Sequence, residues 1–334
     1  MEAAELAGWE AALADLCGRI RTAARRAAAS GSLGDAARPV HQGAGDVAFG
    51  VDVAAEAATT RWFEEVAARG PLSLLTEDHG WRHLGPAPGG GVRALAGFDH
   101  GGPRVVLDPI DGSRNLLADL RAAWSAAGLA PPGPAQPRLS DLVLGVLAEL
   151  PTRRGERPRL VVGVPGRGAT LTVAGEDPRP LVADLDDRVD RGYFPFFRYH
   201  PAERVALARV EAAFFAALEE REGADLATCW DDQYISNAGQ LFLVARGTYR
   251  LVCDLRAEVA RRRGVATTTA KPYDVAGAVV CARAAGCVVE DAAGRDLDLP
   301  LDATTPVSFV GYANQATAAR LRGHVRAALV RCQG

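Results

Sequence analysis

One short stretch constrains this chain more than any other: an apolar strand that runs directly into two carboxylates. Residues 104–107 have the composition of a buried strand, and Asp108-Pro109-Ile110-Asp111-Gly112-Ser113 follows without a break. Asp108 and Asp111 can point into the same space, where their like charges repel and a hard divalent cation such as Mg²⁺ would relieve the repulsion. Gly112 and Ser113 form a turn that can open a helix, and free amides at a helix start suit a phosphate. An Asp-rich turn without chemistry is the competing interpretation of this segment alone.

Composition describes an ordinary globular chain. Of the 334 residues, 48% are apolar and 24% charged, which argues for a sizeable core and against global disorder. The net charge of −3 argues against a surface devoted to nucleic acid or anionic membranes. No apolar run reaches the ~18 residues of a membrane span, and residues 1–29 lack the pattern of a secretory signal. Six scattered cysteines without a C-x-x-C pair indicate reduced thiols in a cytoplasmic protein, with a disulfide framework or a zinc knuckle as the alternatives.

The spacing of apolar residues predicts a mixture of helices and strands. The predicted helices cover about residues 6–30, 52–68, 202–222, 236–245 and 275–285, with a last one from about 314. The predicted strands cover 72–76, 104–107, 122–129, 142–150, 160–164, 169–173, 249–253, 287–290 and 307–311. Residues 80–102 are rich in Gly and Pro, which predicts a surface loop with a strand at 92–98. We expect stacked helix and sheet layers, divided near residue 185 into parts 1–185 and 186–334.

Further carboxylates occupy element ends elsewhere in the chain. Glu77 follows the apolar strand at 72–76, whereas Asp52 and Asp274 stand at the starts of predicted helices. Asp52 and Asp274 taken singly are typical of helix caps. Taken with Glu77, Asp108 and Asp111, they form an acidic set spread over about 220 residues. Such a set makes sense if it converges on metal.

These motifs carry a family resemblance. Asp108 to Ser113 resembles the D-P-[IL]-D-G-[ST] signature of the inositol monophosphatase family, which belongs to the fructose-1,6-bisphosphatase-like superfamily. Residues 271–277, Lys-Pro-Tyr-Asp-Val-Ala-Gly, are similar to its second signature, and residues 163–169 to its G-x-G-A hairpin. The resemblance covers roughly residues 45 to 315. It implies an α+β fold with α/β/α/β/α layers and an Mg²⁺-dependent, often lithium-sensitive phosphomonoesterase.

The resemblance also implies a set of metal ligands. Asp108 would bridge two Mg²⁺ ions. Glu77 and the carbonyl of Ile110 would hold the first ion, and Asp111 and Asp274 the second. A third, weaker ion would lie near Glu77, which gives two or three ions per site.

The same resemblance implies the groups that act on water and phosphate. The Ser113 hydroxyl, in a position where Thr is commoner, would orient the attacking water together with Asp52, and Glu77 would assist through its metal. The backbone amides of Gly112 and Ser113 would hold the phosphate. The departures are Asp78 in place of a second Glu, Tyr273 in place of Trp, and a longer segment at 255–273.

The substrate side is less well defined by the sequence. The resemblance implies that Asp254 contacts substrate hydroxyls, and that Asn237, on the predicted helix 236–245, and Arg256 bind substrate. A surface Asp at a strand end is the competing interpretation of Asp254. The arginines at 261–263 are typical of a solvated face, or of a rim that meets a second anion. Trp230 and Tyr234 could stack on a nucleotide base, although isolated aromatic residues are usually packed in the core.

The sequence therefore predicts a phosphatase for a small polyol phosphate: an inositol phosphate, a sugar phosphate or a sugar bisphosphate. A nucleotide phosphatase of the same superfamily and a non-catalytic binding relative are the alternatives. We expect a homodimer, because family members commonly are, and a small phosphorylated substrate as the partner. His79 and His83 have the spacing of a helical zinc pair, but Gly80 argues against a helix there.

Overall fold

The structure, a computed structural model, describes residues 1–30, 39–42, 47–152, 155 and 157–331. The helices are α1 Ala3–Ser30, α2 Gly50–Ala67, α3 Ser113–Leu117, α4 Arg204–Glu222, α5 Asn237–Ala245, α6 Arg256–Arg263, α7 Pro272–Ala284 and α8 Gln315–Arg331. Two short 3₁₀ helices cover Leu139–Asp141 and Leu226–Thr228. None of the helices in these ranges is long and apolar enough to cross a membrane.

The strands form one large sheet and three small ones. They are β1 Pro39–Gln42, β2 Val47–Phe49, β3 Leu72–Thr76, β4 Gly80–Pro86, β5 Val92–Ala94, β6 Arg104–Asp111, β7 Ala123–Ala130, β8 Leu144–Leu150, β9 Arg159–Val164, β10 Gly168–Val173, β11 Arg179–Leu181, β12 Gly192–Tyr193, β13 Cys229–Trp230, β14 Leu251–Asp254, β15 Val288–Glu290 and β16 Phe309–Tyr312. The large sheet has the order β11-β10-β9-β8-β7-β6-β3-β4-β5. Within it, β3 and β6 pair in parallel and the other neighbours are antiparallel.

Residues of the large sheet alternate between two hydrophobic clusters, because successive side chains of a strand point to opposite faces. On β6, Val105 and Leu107 pack with α1 and α2, whereas Val106 packs with α5 and α7. The large sheet is therefore covered by helices on both faces.

The second sheet, in the order β14-β16-β15, repeats this alternation. Val252 packs toward α5 and α7, whereas Leu251 and Cys253 pack with α4 and α8. The layers are thus α1 and α2, the large sheet, α5 and α7, the small sheet, and α4 and α8. This α/β/α/β/α arrangement confirms the expected α+β fold class.

Helix α7 lies directly against the large sheet because small residues line the contact. A Cβ on Gly277 would stand 2.4 Å from the carbonyl oxygen of Ala127 on β7. A Cβ on Gly145 of β8 would stand 2.6 Å from the Gly277 carbonyl oxygen. Both approaches are too short for any side chain. They fix the position of Asp274, one turn earlier on α7.

Most predicted elements are present, and the main difference lies between residues 80 and 102. The sequence predicts a loop with one strand there, whereas the structure has the strands β4 and β5 at the edge of the large sheet. The Gly and Pro residues that suggested a loop are compatible with an edge strand, where one row of backbone groups needs no partner. The division near residue 185 stays a prediction. Leu75 and Val275, from the two proposed parts, share one hydrophobic cluster.

The cysteines of the described residues are free thiols, as expected from their spacing. They are Cys17, Cys229, Cys253, Cys281 and Cys287. Cys332 lies outside the described residues.

Candidate active site

Strand β6 carries both carboxylates of the central motif, and a bulge sets their direction. The sequence predicts a strand over residues 104–107, but the strand continues to Asp111 with an irregular register. Asp108 pairs with Ala126 and Asp111 with Trp124, so one extra residue lies on β6. In a regular strand, residues three apart point to opposite faces. The bulge turns both carboxylates toward the face on which Ala126 and Trp124 pack with α5 and α7.

Asp111 is held by the start of helix α5. Its Oδ2 accepts hydrogen bonds from the Ser236 hydroxyl at 2.8 Å and from the Ala238 backbone N–H at 2.5 Å. The Ser236 oxygen also caps α5 by accepting from the Gly239 N–H at 2.9 Å. Burial raises the pKa of Asp111 to about 6, although these hydrogen bonds lower it. The sequence analysis did not identify Ser236 as a site residue. The signal that could have found it is a serine directly before an apolar helix, which is a typical N-cap position.

Asp108 lies among like charges. It is 7% exposed, and its Oδ1 accepts the Ile110 N–H at 3.0 Å. Burial raises the pKa of Asp108 well above its usual value, and the negative charges of Asp111 and Asp274 raise it further. The negative charge of Glu77 also raises the pKa of Asp108. No cation is among the main influences on this carboxylate.

Asp274 combines the two interpretations that the sequence left open. Its carboxylate accepts the Lys271 backbone N–H and so caps helix α7. Burial raises its pKa, and the charges of Asp111 and Glu77 raise it further. The structure therefore brings four carboxylates close enough for electrostatic interaction, those of Glu77, Asp108, Asp111 and Asp274. We call these four residues the acid cluster.

The acid cluster has the donor chemistry of a divalent-cation site, since carboxylate oxygens are the ligands that Mg²⁺ prefers. Within the described ranges, however, no three His, Cys, Asp or Glu side chains stand in a set that could hold a metal ion as placed. The two observations are compatible because like charges repel when no cation lies between them. A cation would draw the same side chains together. The raised pKa values of Asp108, Asp111 and Asp274 and the mutual repulsion of these carboxylates fit a metal centre.

Ser113 and Asp52 meet beside the acid cluster although 61 residues separate them. The Ser113 hydroxyl donates to Asp52 Oδ1 at 2.7 Å and lies 3.2 Å from the Ile110 carbonyl oxygen. Asp52 is in the first turn of α2, and Ser113 is the first residue of α3. The contact makes this carboxylate the acceptor for the serine proton. The roles assigned to Ser113, Asp52 and Ile110 stay predictions.

Gly112 is required here for two independent reasons. Its φ of +96° lies in the left-handed region, which side chains rarely adopt. A Cβ would also stand 2.8 Å from the Ile235 carbonyl oxygen. The buried Asn115, which the sequence analysis missed, donates to that same oxygen at 2.7 Å. The turn after Asp111 is thereby fixed against the chain that leads into α5.

The whole chain was also compared with known proteins. A hypothetical protein from Pyrococcus horikoshii, described as similar to inositol-1 monophosphatase, matches with a TM-score of 0.62 and 17% identity over 97% of each chain. Inositol monophosphatase II from Staphylococcus aureus matches at 0.60 and 16%, over 97% of each chain. Fructose-1,6-bisphosphatase from Leishmania major matches at 0.65 and 15%, over 94% of this chain and 93% of the other. Neither a protein-family model nor a curated protein sequence matches.

The chain has the inositol monophosphatase fold. At these identities the likeness concerns the fold, and it extends along nearly the full length of each chain. It confirms, at the level of the fold, the resemblance that the sequence motifs indicate.

Within this fold, Asp254 and Arg256 are paired with each other. Asp254 is 0% exposed and Arg256 is 4% exposed. Both carboxylate oxygens of Asp254 bind the Arg256 guanidinium, Oδ1 to Nε at 2.9 Å and Oδ2 to Nη2 at 2.6 Å. Burial and this pairing argue against the direct substrate contact that the resemblance implies, and the substrate roles of the two residues stay predictions.

The other substrate-side candidates differ in accessibility. Asn237 is the first residue of α5 and is 8% exposed, and its Oδ1 has no hydrogen-bond partner. Tyr234 is buried and its hydroxyl donates to the Ala122 carbonyl, so it cannot stack on a base as placed. Trp230 is 49% exposed and lies against Tyr193.

The remaining candidates have structural partners. Arg261 and Arg262 of α6 both bind Glu258, which agrees with a solvated helix face rather than with a rim for a second anion. His79 and His83 do not share a helix, because β4 begins at Gly80. His83 Nδ1 lies 2.7 Å from the Ser73 hydroxyl.

Two cavities lie away from the acid cluster. One, of about 400 Å³, is lined by residues of α1 and α2, including Arg19 and Arg61. The other, of about 640 Å³, lies beside His100 and Phe98. Neither of these two cavities is lined by a member of the acid cluster.

Proposed function

We propose that this chain is a divalent-metal-dependent phosphatase that hydrolyses the phosphate monoester of a small polyol, such as an inositol phosphate, a sugar phosphate or a sugar bisphosphate. The observation that carries the proposal is the acid cluster, four neighbouring carboxylates beside a serine that is hydrogen-bonded to an aspartate. The fold of inositol monophosphatases and fructose-1,6-bisphosphatases supports the same conclusion.

A phosphate monoester is a dianion, and four carboxylates alone would repel it. The proposal therefore requires cations, and we propose two or three Mg²⁺ ions. When bound, they would neutralise the phosphate, lower the pKa of a water molecule and stabilise the leaving alkoxide. Glu77, Asp108, Asp111, Asp274 and the Ile110 carbonyl are the proposed ligands.

The chain's own groups would then position the reactants. The Ser113 hydroxyl donates to Asp52, so its oxygen can accept a hydrogen bond from a water molecule and orient it toward the phosphorus. As the water oxygen bonds to phosphorus and the P–O bond to the alcohol breaks, the proton of the water would pass to the Ser113 oxygen while the Ser113 proton passes to Asp52. The amides of Gly112 and Ser113 are proposed to bind the phosphate oxygens, and Asn237 to contact the alcohol part of the substrate.

Phosphate release from a panel of inositol, sugar, sugar-bisphosphate and nucleotide phosphates tests this proposal. We expect turnover in millimolar Mg²⁺ and its loss in excess EDTA, with restoration when Mg²⁺ is added back. Equal release with and without EDTA would exclude the mechanism. Binding of phosphate esters without turnover would favour a non-catalytic relative instead.

A further inference from the structure

The ion pair between Asp254 and Arg256 is more than a buried charge contact. Asp254 ends strand β14, and Arg256 begins helix α6 two residues later. The guanidinium also lies over the ring of Phe197 at 4.6 Å and near that of Tyr199 at 5.5 Å. These contacts hold it in one orientation. A buried ion pair often adds little net stability, because desolvation offsets the attraction. Its geometric effect is therefore the more informative property.

The third nitrogen of Arg256 reaches a different part of the chain. Nη1 donates to the Thr268 carbonyl oxygen at 3.1 Å. Thr268 belongs to residues 264–271, which we call the connecting segment, because they join α6 to α7. Thr268 thus has a direct hydrogen bond to a side chain that is itself locked on Asp254.

The connecting segment leads directly to the acid cluster. Ala270 pairs with Val307 in an isolated bridge. Lys271 Nζ donates to the Thr269 hydroxyl at 2.9 Å, and the Lys271 backbone N–H binds the Asp274 carboxylate. A displacement at Thr268 would therefore be transmitted over three residues to the hydrogen bond that orients Asp274.

We propose that Arg256 is a positioning residue: locked on Asp254, it fixes the connecting segment through the Thr268 carbonyl and so holds Asp274 in place for a divalent cation. In this chain, the carboxylate of Asp254 orients Arg256 and does not contact substrate hydroxyls. The inference rests on the proposed function where metal binding or activity is measured, and hydrogen exchange tests it independently of both. Mutation of a group that orients a metal ligand typically lowers the metal affinity by about 10- to 100-fold.

The test compares Arg256→Gln with Arg262→Gln as a matched control. Arg262 lies on the same helix, pairs with Glu258 and donates to a backbone carbonyl, that of Leu329. The Arg262→Gln variant therefore loses contacts of the same kind, but its contacts lead away from the acid cluster. We expect Arg256→Gln to weaken Mg²⁺ or Mn²⁺ binding, measured by calorimetry, about tenfold or more. The control should stay within about twofold of the unmodified protein.

Hydrogen exchange gives a readout that does not depend on catalysis or metal. Amides of the connecting segment should exchange about tenfold faster in Arg256→Gln than in the unmodified protein. Their exchange rates should be unchanged in Arg262→Gln. If Arg256→Gln is unstable because Asp254 remains charged, the double variant Asp254→Asn/Arg256→Gln removes both charges. It still lacks the Thr268 contact, so the same loss of metal affinity is expected.

Kinetics separate positioning from substrate contact. Positioning predicts a higher Mg²⁺ concentration at half-maximal rate in Arg256→Gln, with the KM for the phosphate ester at saturating Mg²⁺ nearly unchanged. A raised KM with unchanged metal affinity would overturn the inference, as would unchanged exchange in the connecting segment. Failure of the unmodified protein to bind Mg²⁺ or release phosphate would instead count against the proposed function.

Discussion

Asp108 on β6 and Asp254 at the end of β14 follow apolar runs of similar sequence, and the structure gives them opposite surroundings. Val105-Val106-Leu107 precedes Asp108 on β6, and Leu251-Val252-Cys253 precedes Asp254 on β14. Both side chains are buried. Asp254 binds a guanidinium through both oxygens, whereas Asp108 is surrounded by carboxylates.

The difference teaches that burial of an aspartate does not by itself indicate function. A buried carboxylate that is paired with a cationic side chain already has its counter-charge. Its role is structural, through the groups that the cationic side chain holds in place. A buried carboxylate among like charges lacks a counter-charge, and a metal ion can supply it. The following predictions test whether the two aspartates differ in this way.

The largest effect is expected for Asp108→Asn. Phosphate release should fall by about a thousandfold or more, since the proposed ligand between two cations loses its charge. The metal-free protein should remain as stable as the unmodified one, because a mutually repelling charge has been removed. Activity assays and urea unfolding measure the two effects. Asp291→Asn, which alters an exposed pair with Arg295, is the control and should change neither.

Asp254→Asn should lower the stability of the metal-free protein, which Asp108→Asn is expected to leave unchanged. It leaves Arg256 buried without its partner, which typically costs about 3–5 kcal/mol in the free energy of unfolding. Urea unfolding of the metal-free protein measures this loss. A stability close to that of Asp108→Asn would remove the contrast between the two aspartates.

Ser113→Ala should reduce turnover by about a hundredfold, in the range of a lost group for proton transfer. The hydrogen bond to Asp52 disappears, while the acid cluster stays intact. Mg²⁺ affinity should therefore be nearly unchanged in calorimetry. Ser113→Thr keeps the hydroxyl and should retain most of the activity. Equal losses in both variants would argue against a role for the hydroxyl.

The smallest effect concerns pH. Burial raises the pKa of Asp111 from 3.8 to about 6, and the pKa values of Asp108 and Asp274 are also raised. The folded chain therefore holds these protons more tightly than the unfolded chain does. The resulting stability is fully present below about pH 4 and is lost as the pH rises through about 6.

For the metal-free protein we expect a loss on the order of 2 kcal/mol between pH 4 and 7 from this source. Thermal unfolding in EDTA across this range measures it, and Asp108→Asn should show a shallower decline. Other groups titrate in the same range, so the difference between the two proteins is the relevant quantity. A decline of equal slope in both proteins would contradict the assignment.

Much of the candidate site could be predicted from the sequence because its signals are local. A strand followed by Asp108-Pro109-Ile110-Asp111-Gly112-Ser113 and the segment from Lys271 to Gly277 are contiguous motifs with recognisable spacing. The helix and strand periods likewise predicted the alternation of layers, since a buried face imposes its period on the residues that form it.

Other features depend on contacts between distant residues. The bulge that turns Asp108 and Asp111 to one face is defined by their partners on β7. The capture of Asp111 by Ser236 joins residues 125 positions apart. No local pattern reports such pairings.

The sequence by itself determined which carboxylates are available and where the apolar periods place helices and strands. Only the tertiary structure decided that Asp108 lies among like charges whereas Asp254 has an arginine of its own. The physical reason is that the energy of a buried charge depends on the charges that surround it in space. The chain brings those charges together only when the sheets and helices have packed.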